Sequence, residues 1–432
     1  MSSGKALSDK QKLRTFFRGA VADMPRVEPA CRHFGECGGC EFQDISYPDQ
    51  LEMKRRAFGF VVDAVVADFR CKAEGEEDIG KAETFRQKAA HVENRIADAP
   101  PAIVASPLPY GYRQRMDYVF AFDVAGLRRA NSHRRVVALG ECPLLGETGF
   151  AVFWKAVGLA REVGLESYDY VRHRGELRYF VIRRSRAGGV LLSLVTKTRA
   201  AGEKVLALLD RLVCGGDIVS GHWLLAEGMG DVSFGESCGR AGAAHIVETV
   251  NGVRLGIGPN TFFQANPAVA ENAYAAIANF VPPGAALFDM YSGVGSIALS
   301  AAGTAERVTA AENDPDNVAL ARWNILENEV MNVMLAEADA VAWMEETSAS
   351  GAGKPDMVAV NPPRPGVGER GMAAIRRLAP PRIAYLSCNP FSLLRDLSEI
   401  LGEYAVKSLS LFDMFPQTRH FESLALLERK PW

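Results

Sequence analysis

The period of apolar and polar positions changes twice along the chain. Residues 1 to about 30 are polar and weakly patterned, and they read as a helix followed by a loop ending near Pro25 and Pro29. The stretch CRHFGECGGCEFQDISYPDQLEMKRR follows, where glycines and close cysteines argue against regular structure and Pro48 marks a helix start. Residues 72–100 are charged and alanine-rich without a broad apolar stripe, which predicts a solvated helical insertion closed by Pro100 and Pro101. From Tyr112 to about Val250 the pattern turns to short β-rich runs (YVFAFDV, RYFVIRR, GVLLSLVT, GHWLLAE), with a helix over FAVFWKAVGLAREVG. After Gly258, the helical AVAENAYAAIANF leads into AALFDM, RVTAAE, DMVAVN and RIAYLS, then AVKSLSLFDM and ESLALLER, with helices between the earlier runs. Strand–helix alternation with Gly, Asp or Asn at strand ends predicts a doubly wound α/β domain. The expected organisation is residues 1–100, an N-terminal cysteine-bearing segment with the insertion; 101–257, a β-rich central domain; and 258–432, the α/β domain.

The length of 432 residues suits two or three domains. Lysine plus arginine number 49 and aspartate plus glutamate 52, a net charge of −3, which excludes a wholly polybasic nucleic-acid binder but allows a basic face. With 48% hydrophobic and 23% charged residues, the chain can bury sizeable cores and is not disordered as a whole. No apolar run is long enough to cross a membrane, and the start MSSGKALSDKQKLRTFF has no apolar leader core, so the expectation is a cytoplasmic protein. The eight cysteines are too sparse for a disulfide scaffold, yet Cys31, Cys37 and Cys40 lie within ten residues. In a reducing compartment such clustering suggests a metal.

Chemistry concentrates at the predicted strand ends of the last domain. In Phe288-Asp289-Met290-Tyr291-Ser292-Gly293-Val294-Gly295 an apolar strand ends in an acid, and a glycine turn then opens a helix. Such turns let backbone approach a nucleotide-like ligand beyond the carboxyl ends of the strands, which makes Asp289 and Gly293 candidate cofactor contacts. The next strand ends at Glu312, placed to hydrogen-bond a ribose diol. Gly295 is followed by Ser296, Ile297 and Ala298, so the phosphate-binding G-x-G-x-x-G is missing, which favours S-adenosylmethionine over a dinucleotide. Asn361-Pro362-Pro363-Arg364 closes another strand; its Asn amide can donate and accept, and its Arg stands where amino-group methyltransferases carry an aromatic residue. Cys388, in Ser387-Cys388-Asn389-Pro390, is the only cysteine of this domain. A lone cysteine is usually a small buried hydrophobe, but a strand's carboxyl end beside a helix start favours a thiolate. Glu422, in Phe415-Pro416-Gln417-Thr418-Arg419-His420-Phe421-Glu422, is a surface carboxylate or, if near Cys388, a general base.

Six motifs in order — Cys31-x5-Cys37-x2-Cys40, GPNTFFQANP, YSGVG, NPPR-x-G, SCNP and FPQTRHFE — resemble the RNA uracil-5 methyltransferase family over most of the chain from Cys31 onward. The resemblance implies a class I, Rossmann-like S-adenosylmethionine methyltransferase domain, with Cys388 as nucleophile and Glu422 as the base that removes the C5 proton. It implies cofactor contacts from Gln264, Tyr291, Glu312 and Asn361, and a [4Fe–4S] cluster on Cys31, Cys37, Cys40 and Cys142. From the residues alone an all-cysteine site reads equally as zinc or iron–sulfur; the resemblance favours the cluster, in a structural role. Many relatives begin with a small RNA-binding β-barrel, for which the stretch before Cys31 is too short. That shortness, Asn361 in place of an aspartate, and LFDMFP are similar to the RlmC type, which makes 5-methyluridine at one site of 23S rRNA; the insertion at 72–100 departs from it.

RNA affinity is expected from two arginine runs in the central domain, residues 113–135 and 172–186, the second interleaved with Tyr179 and Phe180 as stacking surfaces. The expected partner is therefore RNA, an rRNA loop uridine first, acted on by a monomer without an obligate protein partner. The alternatives are tRNA or another rRNA site, RNA cytosine-5 methylation, which generally uses two catalytic-site cysteines, a small-molecule methyltransferase, and a non-enzymatic iron–sulfur RNA-binding protein.

Overall fold

The computed structural model describes residues 7–96, 101–132, 134–351 and 353–431. Its packing divides the chain into two units, one of residues 1–26, 45–106 and 269–432 and the other of residues 27–44 and 107–268. This differs from three consecutive domains, because much of the N-terminal segment packs with the C-terminal third.

In the first unit, helix α1 (Asp9–Ala20) opens with a capping box between Ser8 and Gln11. Helix α2 (Tyr47–Gly75) starts at a Ser46 cap with Pro48 in its first turn and buries Met53, Phe58, Val61, Val65 and Phe69. Helix α3 (Ile79–Ile96) packs on α2. The expected solvated helical insertion is helical over Ile79–Ile96 and exposed at most of its positions, with one narrow packed stripe: Ala82, Ala89, Val92 and Ile96 are buried, and Lys88 pairs with Glu399 at 2.6 Å. Two of those four contacts are alanines, which let helices approach closely yet add little to an apolar stripe; residues 97–100 lie outside the described residues. Strand β1 (Ala102–Val104) closes this N-terminal part.

The second unit holds a seven-stranded sheet. Its strands are β2 (Arg115–Ala121), β3 (Val124–Arg128), β4 (Val136–Ala138), β5 (Leu177–Arg184), β6 (Val190–Thr196), β7 (Ser220–Leu225) and β8 (Glu236–Gly242), in the order β4-β3-β2-β5-β6-β7-β8. Only β6 and β7 run parallel, and the crossover that parallel neighbours require is supplied by α5 (Gly202–Cys214). Helix α4 (Glu147–Glu162) contributes Phe153 and Val157 to a core with Phe180, Leu192 and Leu208. A separate hairpin, β9 (Ile246–Val250) with β10 (Val253–Ile257), follows.

The chain then returns to the first unit with α6 (Pro267–Phe280), β11 (Ala286–Met290), α7 (Ser296–Ala301), β12 (Arg307–Glu312), α8 (Pro315–Glu327), β13 (Val333–Glu337), α9 (Ala340–Ser350) and β14 (Met357–Val360). It ends with α10 (Gly368–Leu378), β15 (Arg382–Ser387), α11 (Pro390–Ser398), β16 (Tyr404–Phe412) and β17 (Glu422–Arg429). The eight-stranded sheet has the order β1-β16-β17-β15-β14-β11-β12-β13, with β17 antiparallel to both neighbours and the other pairings parallel. The doubly wound α/β domain expected from the sequence is present. Its strand order reverses between β11 and β14, where ligands of such sheets bind. Among the described residues, no helix is long and apolar enough to cross a membrane.

Candidate active site

Hydrogen-bonded neighbours in a sheet stand about 4.8 Å apart, so strand order sets distances between strand ends. Across the order β12-β11-β14-β15-β17, register pairs Ala310 with Asp289, Met290 with Val360, Val360 with Tyr385, and Ser387 with Ser423. Glu312, Tyr291, Asn361, Cys388 and Glu422 therefore follow one another along one edge of the sheet. Cys388 and Glu422 sit one step beyond the Ser387–Ser423 pair, side by side on antiparallel strands. The sheet collects five dispersed sequence candidates into one row.

At the β11 end the backbone is forced into the left-handed region at Tyr291 (φ 61°), Gly293 (φ 57°) and Gly295 (φ 85°). A tyrosine there is strained, a condition that persists where surrounding structure imposes it and that clusters at ligand sites. Glu312 holds the turn from the next strand: one carboxylate oxygen accepts from the Gly293 amide at 2.8 Å, the other from Asn313 (3.0 Å) and Asp314 (2.8 Å). Asp289 lies beneath the turn, fully buried, where it accepts from the Ala298 amide at 2.9 Å while its other oxygen has no partner. Burial raises its carboxyl to about 7. Its contacts brace the start of α7.

The Asn361–Arg364 loop is held against the start of α11. The Arg364 carbonyl accepts from the Asn389 side-chain amide (3.0 Å) and the Ser392 hydroxyl (3.1 Å), while Asp396 accepts from the Val367 amide (2.7 Å) and the Tyr385 hydroxyl (2.5 Å). Gly366 has φ 93°, and a Cβ there would lie 2.5 Å from the Asp396 carboxylate and 3.1 Å from Ser392 Cβ. Gly366→Ala is expected to cost roughly 1–3 kcal/mol of stability and to release the loop, read as a lowered Tm together with slower turnover.

The Arg364 charge acts on both Cys388 and Glu422 and favours the ionised form of each. Burial raises the thiol to about 11, helped by the Glu422 charge and opposed by Arg364. Glu422 is 3% exposed, one of its oxygens has no partner, and burial lifts its carboxyl to about 8. A thiol and a buried carboxyl at neighbouring strand ends therefore share the field of one guanidinium. Arg364→Met is expected to raise the pH midpoint of Cys388 alkylation by iodoacetamide by about one unit or more, equivalent to about tenfold less thiolate at neutral pH.

Two other first-unit residues escaped the sequence reading. Tyr274 is buried on α6 and lies in the field of Glu422 and Asp289, where burial pushes its hydroxyl up. In the run AYAAIANF it reads as a core position, and no local signal distinguishes it. Asp396, read only as part of a helix, organises the loop after Arg364.

In the second unit, Cys31, Cys37, Cys40 and Cys142 line one pocket with Phe34, Leu127, Leu139 and Leu144. Burial is the main cause that lifts Cys37 to about 11 and Cys40 to about 12, and neighbouring thiols add to each shift. Among the described residues no three His, Cys, Asp or Glu side chains are arranged to hold a metal ion. Gln264 also belongs to this unit and is buried at 3% exposure.

The expected basic face is smaller than the arginine count suggests. Arg178 is fully buried, donates to the carbonyls of Ala226 (2.9 Å), Gly228 (3.1 Å) and Gly230, and stacks on Tyr168 with 4.9 Å to the ring centroid. Arg183 is buried, its charge disfavoured to a value of about 9, and it donates to the Thr261 carbonyl. Tyr179 and Phe180 are core residues at 6% and 0% exposure, a correction to their expected stacking role. The physical reason is that β5 lies between β2 and β6 and is buried along nearly its whole length. Arg129, Arg134, Arg135, Arg172 and Arg174 are exposed.

Comparison with known proteins bears on the family. The family profile described as tRNA (Uracil-5-)-methyltransferase matches residues 254–430. An uncharacterised RNA methyltransferase of Caldanaerobacter subterraneus is 31% identical over 419 residues, covering 93% of this chain and 85% of that protein. The tRNA (uracil(54)-C(5))-methyltransferase of Pyrococcus abyssi is 29% identical over 403 residues, covering 93% and 86%. The crystal structure of the Pyrococcus abyssi tRNA (uracil-54, C5)-methyltransferase with S-adenosyl-L-homocysteine superposes with a TM-score of 0.71 at 26% identity, covering 90% of this chain and 85% of that one. With one row of strand ends carrying the motifs and relatives matching nearly the whole length, the chain belongs to the RNA uracil-5 methyltransferase family.

Proposed function

We propose that the protein methylates C5 of a loop uridine in RNA, with S-adenosylmethionine as methyl donor and a covalent Cys388–C6 adduct as intermediate. The observation that carries this reading is the adjacency of Cys388 and Glu422 at the neighbouring ends of β15 and β17, with the Arg364 charge acting on both. Uracil C5 is a poor nucleophile, and addition at C6 makes it a good one. The Cys388 thiolate forms a C–S bond to C6, and the ring electrons move to C5 and O4 as an enolate. C5 then takes the methyl group, and the donor leaves as a neutral thioether. Glu422 accepts the C5 proton, the C5–C6 double bond reforms, and the Cys388 thiolate is expelled. Arg364 favours the thiolate before attack and after expulsion. The base must leave its stack to admit the thiol to C6, hence a loop uridine.

Glu312 is assigned to the donor's ribose, with Tyr291, Gly293 and Asn361 lining the donor site and Asp289 bracing it from below; Gln264 is a donor contact by the family resemblance alone. Asn361 and the LFDMFP run, both similar to the RlmC type, support a uridine of 23S rRNA as the target. The Pyrococcus relatives support a second reading, a tRNA uridine. Labelled methyl transfer to tRNA and 23S rRNA transcripts, followed by nucleoside analysis, tests both. 5-Methyluridine in one transcript is expected; label in 5-methylcytidine, or none in either RNA, contradicts the proposal.

The four thiols suit a [4Fe–4S] cluster by donor set and apolar lining. Its expected service is structural, cross-linking the Cys31–Cys40 loop to Cys142. Anaerobically purified protein should contain iron and acid-labile sulfide in equal amounts and little zinc. Stripping the iron should lower the Tm of the protein, and zinc in place of iron would overturn the assignment.

A further inference from the structure

We infer that Gln50 and Lys54, on α2 far from the catalytic motifs in sequence, are positioning residues for Glu422, gripping the loop that presents it. This rests on the reading of Glu422 as the base. Glu422 is the first residue of β17, and the loop of residues 413–421 joins it to β16, with Phe412 and Glu422 directly paired at the loop's base. One Glu422 oxygen has no hydrogen-bond partner, so the position of this carboxylate is set largely by its backbone.

Two devices on α2 hold that loop. Lys54, fully buried, donates to the Asp413 carboxylate at 2.5 Å and to the Phe415 carbonyl at 3.1 Å. Gln50, also fully buried, makes a reciprocal pair with Gln417: its side-chain amide donates to Gln417 Oε1 at 2.9 Å, and its Oε1 accepts from the Gln417 backbone amide at 3.0 Å. Gln417 has φ 69°, a left-handed conformation that a glutamine adopts only when held there. From the other side, the Asp413 amide donates to the carbonyl of Val104 in β1 at 2.9 Å.

A fully buried ion pair is a poor source of stability, since well-packed apolar side chains in its place are often neutral or better. What such a pair and a two-point amide pair supply is one allowed geometry. Gln50 and Lys54 lie one helical turn apart and so share a face of α2. They reach the start and the middle of the loop, which fixes its path into β17. A base displaced by about 1 Å loses on the order of 10²-fold in rate.

The mechanism predicts where the loss falls. Glu422 acts only after the methyl group has moved, so a misplaced base stalls release and the methylated adduct accumulates on ordinary uridine RNA. Full-length Gln50→Leu, Gln417→Gly (which removes the same amide pair and suits the positive φ) and Lys54→Met combined with Asp413→Leu would be assayed for kcat, KM for RNA and denaturation-resistant protein–RNA complex. Expected are a kcat lowered roughly 10–100-fold, a KM for RNA that falls with it so that kcat/KM holds, and a complex on ordinary RNA that the wild type does not accumulate. Gln50→Leu or Gln417→Gly turning over like wild type would overturn the inference, as would an equal loss of trapping on 5-fluorouridine RNA, the mark of general collapse. Failure of the wild type itself to trap 5-fluorouridine RNA would instead defeat the assignment of function.

Discussion

Cys388→Ala is expected to abolish turnover, by at least about 10³-fold, while leaving RNA binding and fold intact. In the proposed mechanism the thiol makes the bond that activates C5, and no other side chain in the row Glu312, Tyr291, Asn361, Cys388, Glu422 can replace it at C6. The exchange removes one sulfur from a half-buried site, so thermal unfolding should change little. Equal Tm values with RNA affinity retained and methyl transfer lost would place the defect in chemistry. A variant that still methylates uridine would show that the covalent route is wrong.

Glu422→Gln carries the second large effect and fails at a different step. The amide cannot take the C5 proton, so addition and methyl transfer proceed while release stops. Turnover should fall by about 10²–10⁴-fold, with a methylated covalent complex building up on unmodified RNA. The carboxyl is lifted to about 8 by burial and must be ionised to take the C5 proton, so the rate at which the methylated adduct breaks down in the wild type should rise with pH and level off above about 8. Stability runs the opposite way. A carboxyl raised from 4.5 to about 8 binds its proton more tightly in the folded than in the unfolded state. The stability this contributes is complete below the lower value and is lost as pH rises towards the upper one. Tm should therefore fall with pH across that window in the wild type and fall less in Glu422→Gln. Identical pH dependence in the two proteins would contradict the buried, partner-poor carboxylate.

Strand ends were the legible part of the sequence. Apolar runs closing on Asp289, Glu312, Asn361 and Cys388 became β11, β12, β14 and β15, because a parallel sheet covered on both faces writes itself as short apolar strands with polar exits. The adjacency of Cys388 and Glu422 was not readable from local pattern, since it depends on β17 inserting antiparallel between β15 and β16. Arginine counting misled in the second unit: Arg178 and Arg183 satisfy buried carbonyls, and composition does not distinguish that duty from phosphate binding. The roles of Gln50 and Lys54 were equally hidden, as both read as ordinary polar positions of a helix whose partner loop lies over 350 residues away in the chain.

The most direct test of the account is mass analysis of the complex trapped on 5-fluorouridine RNA with S-adenosylmethionine. Fluorine at C5 cannot leave as a proton, so the adduct persists through denaturation and digestion. The account predicts a methylated fluorouridine linked to a single peptide at Cys388, and no adduct in Cys388→Ala. A nucleotide attached elsewhere, or efficient methylation of ordinary uridine RNA with no trapped species, would contradict it.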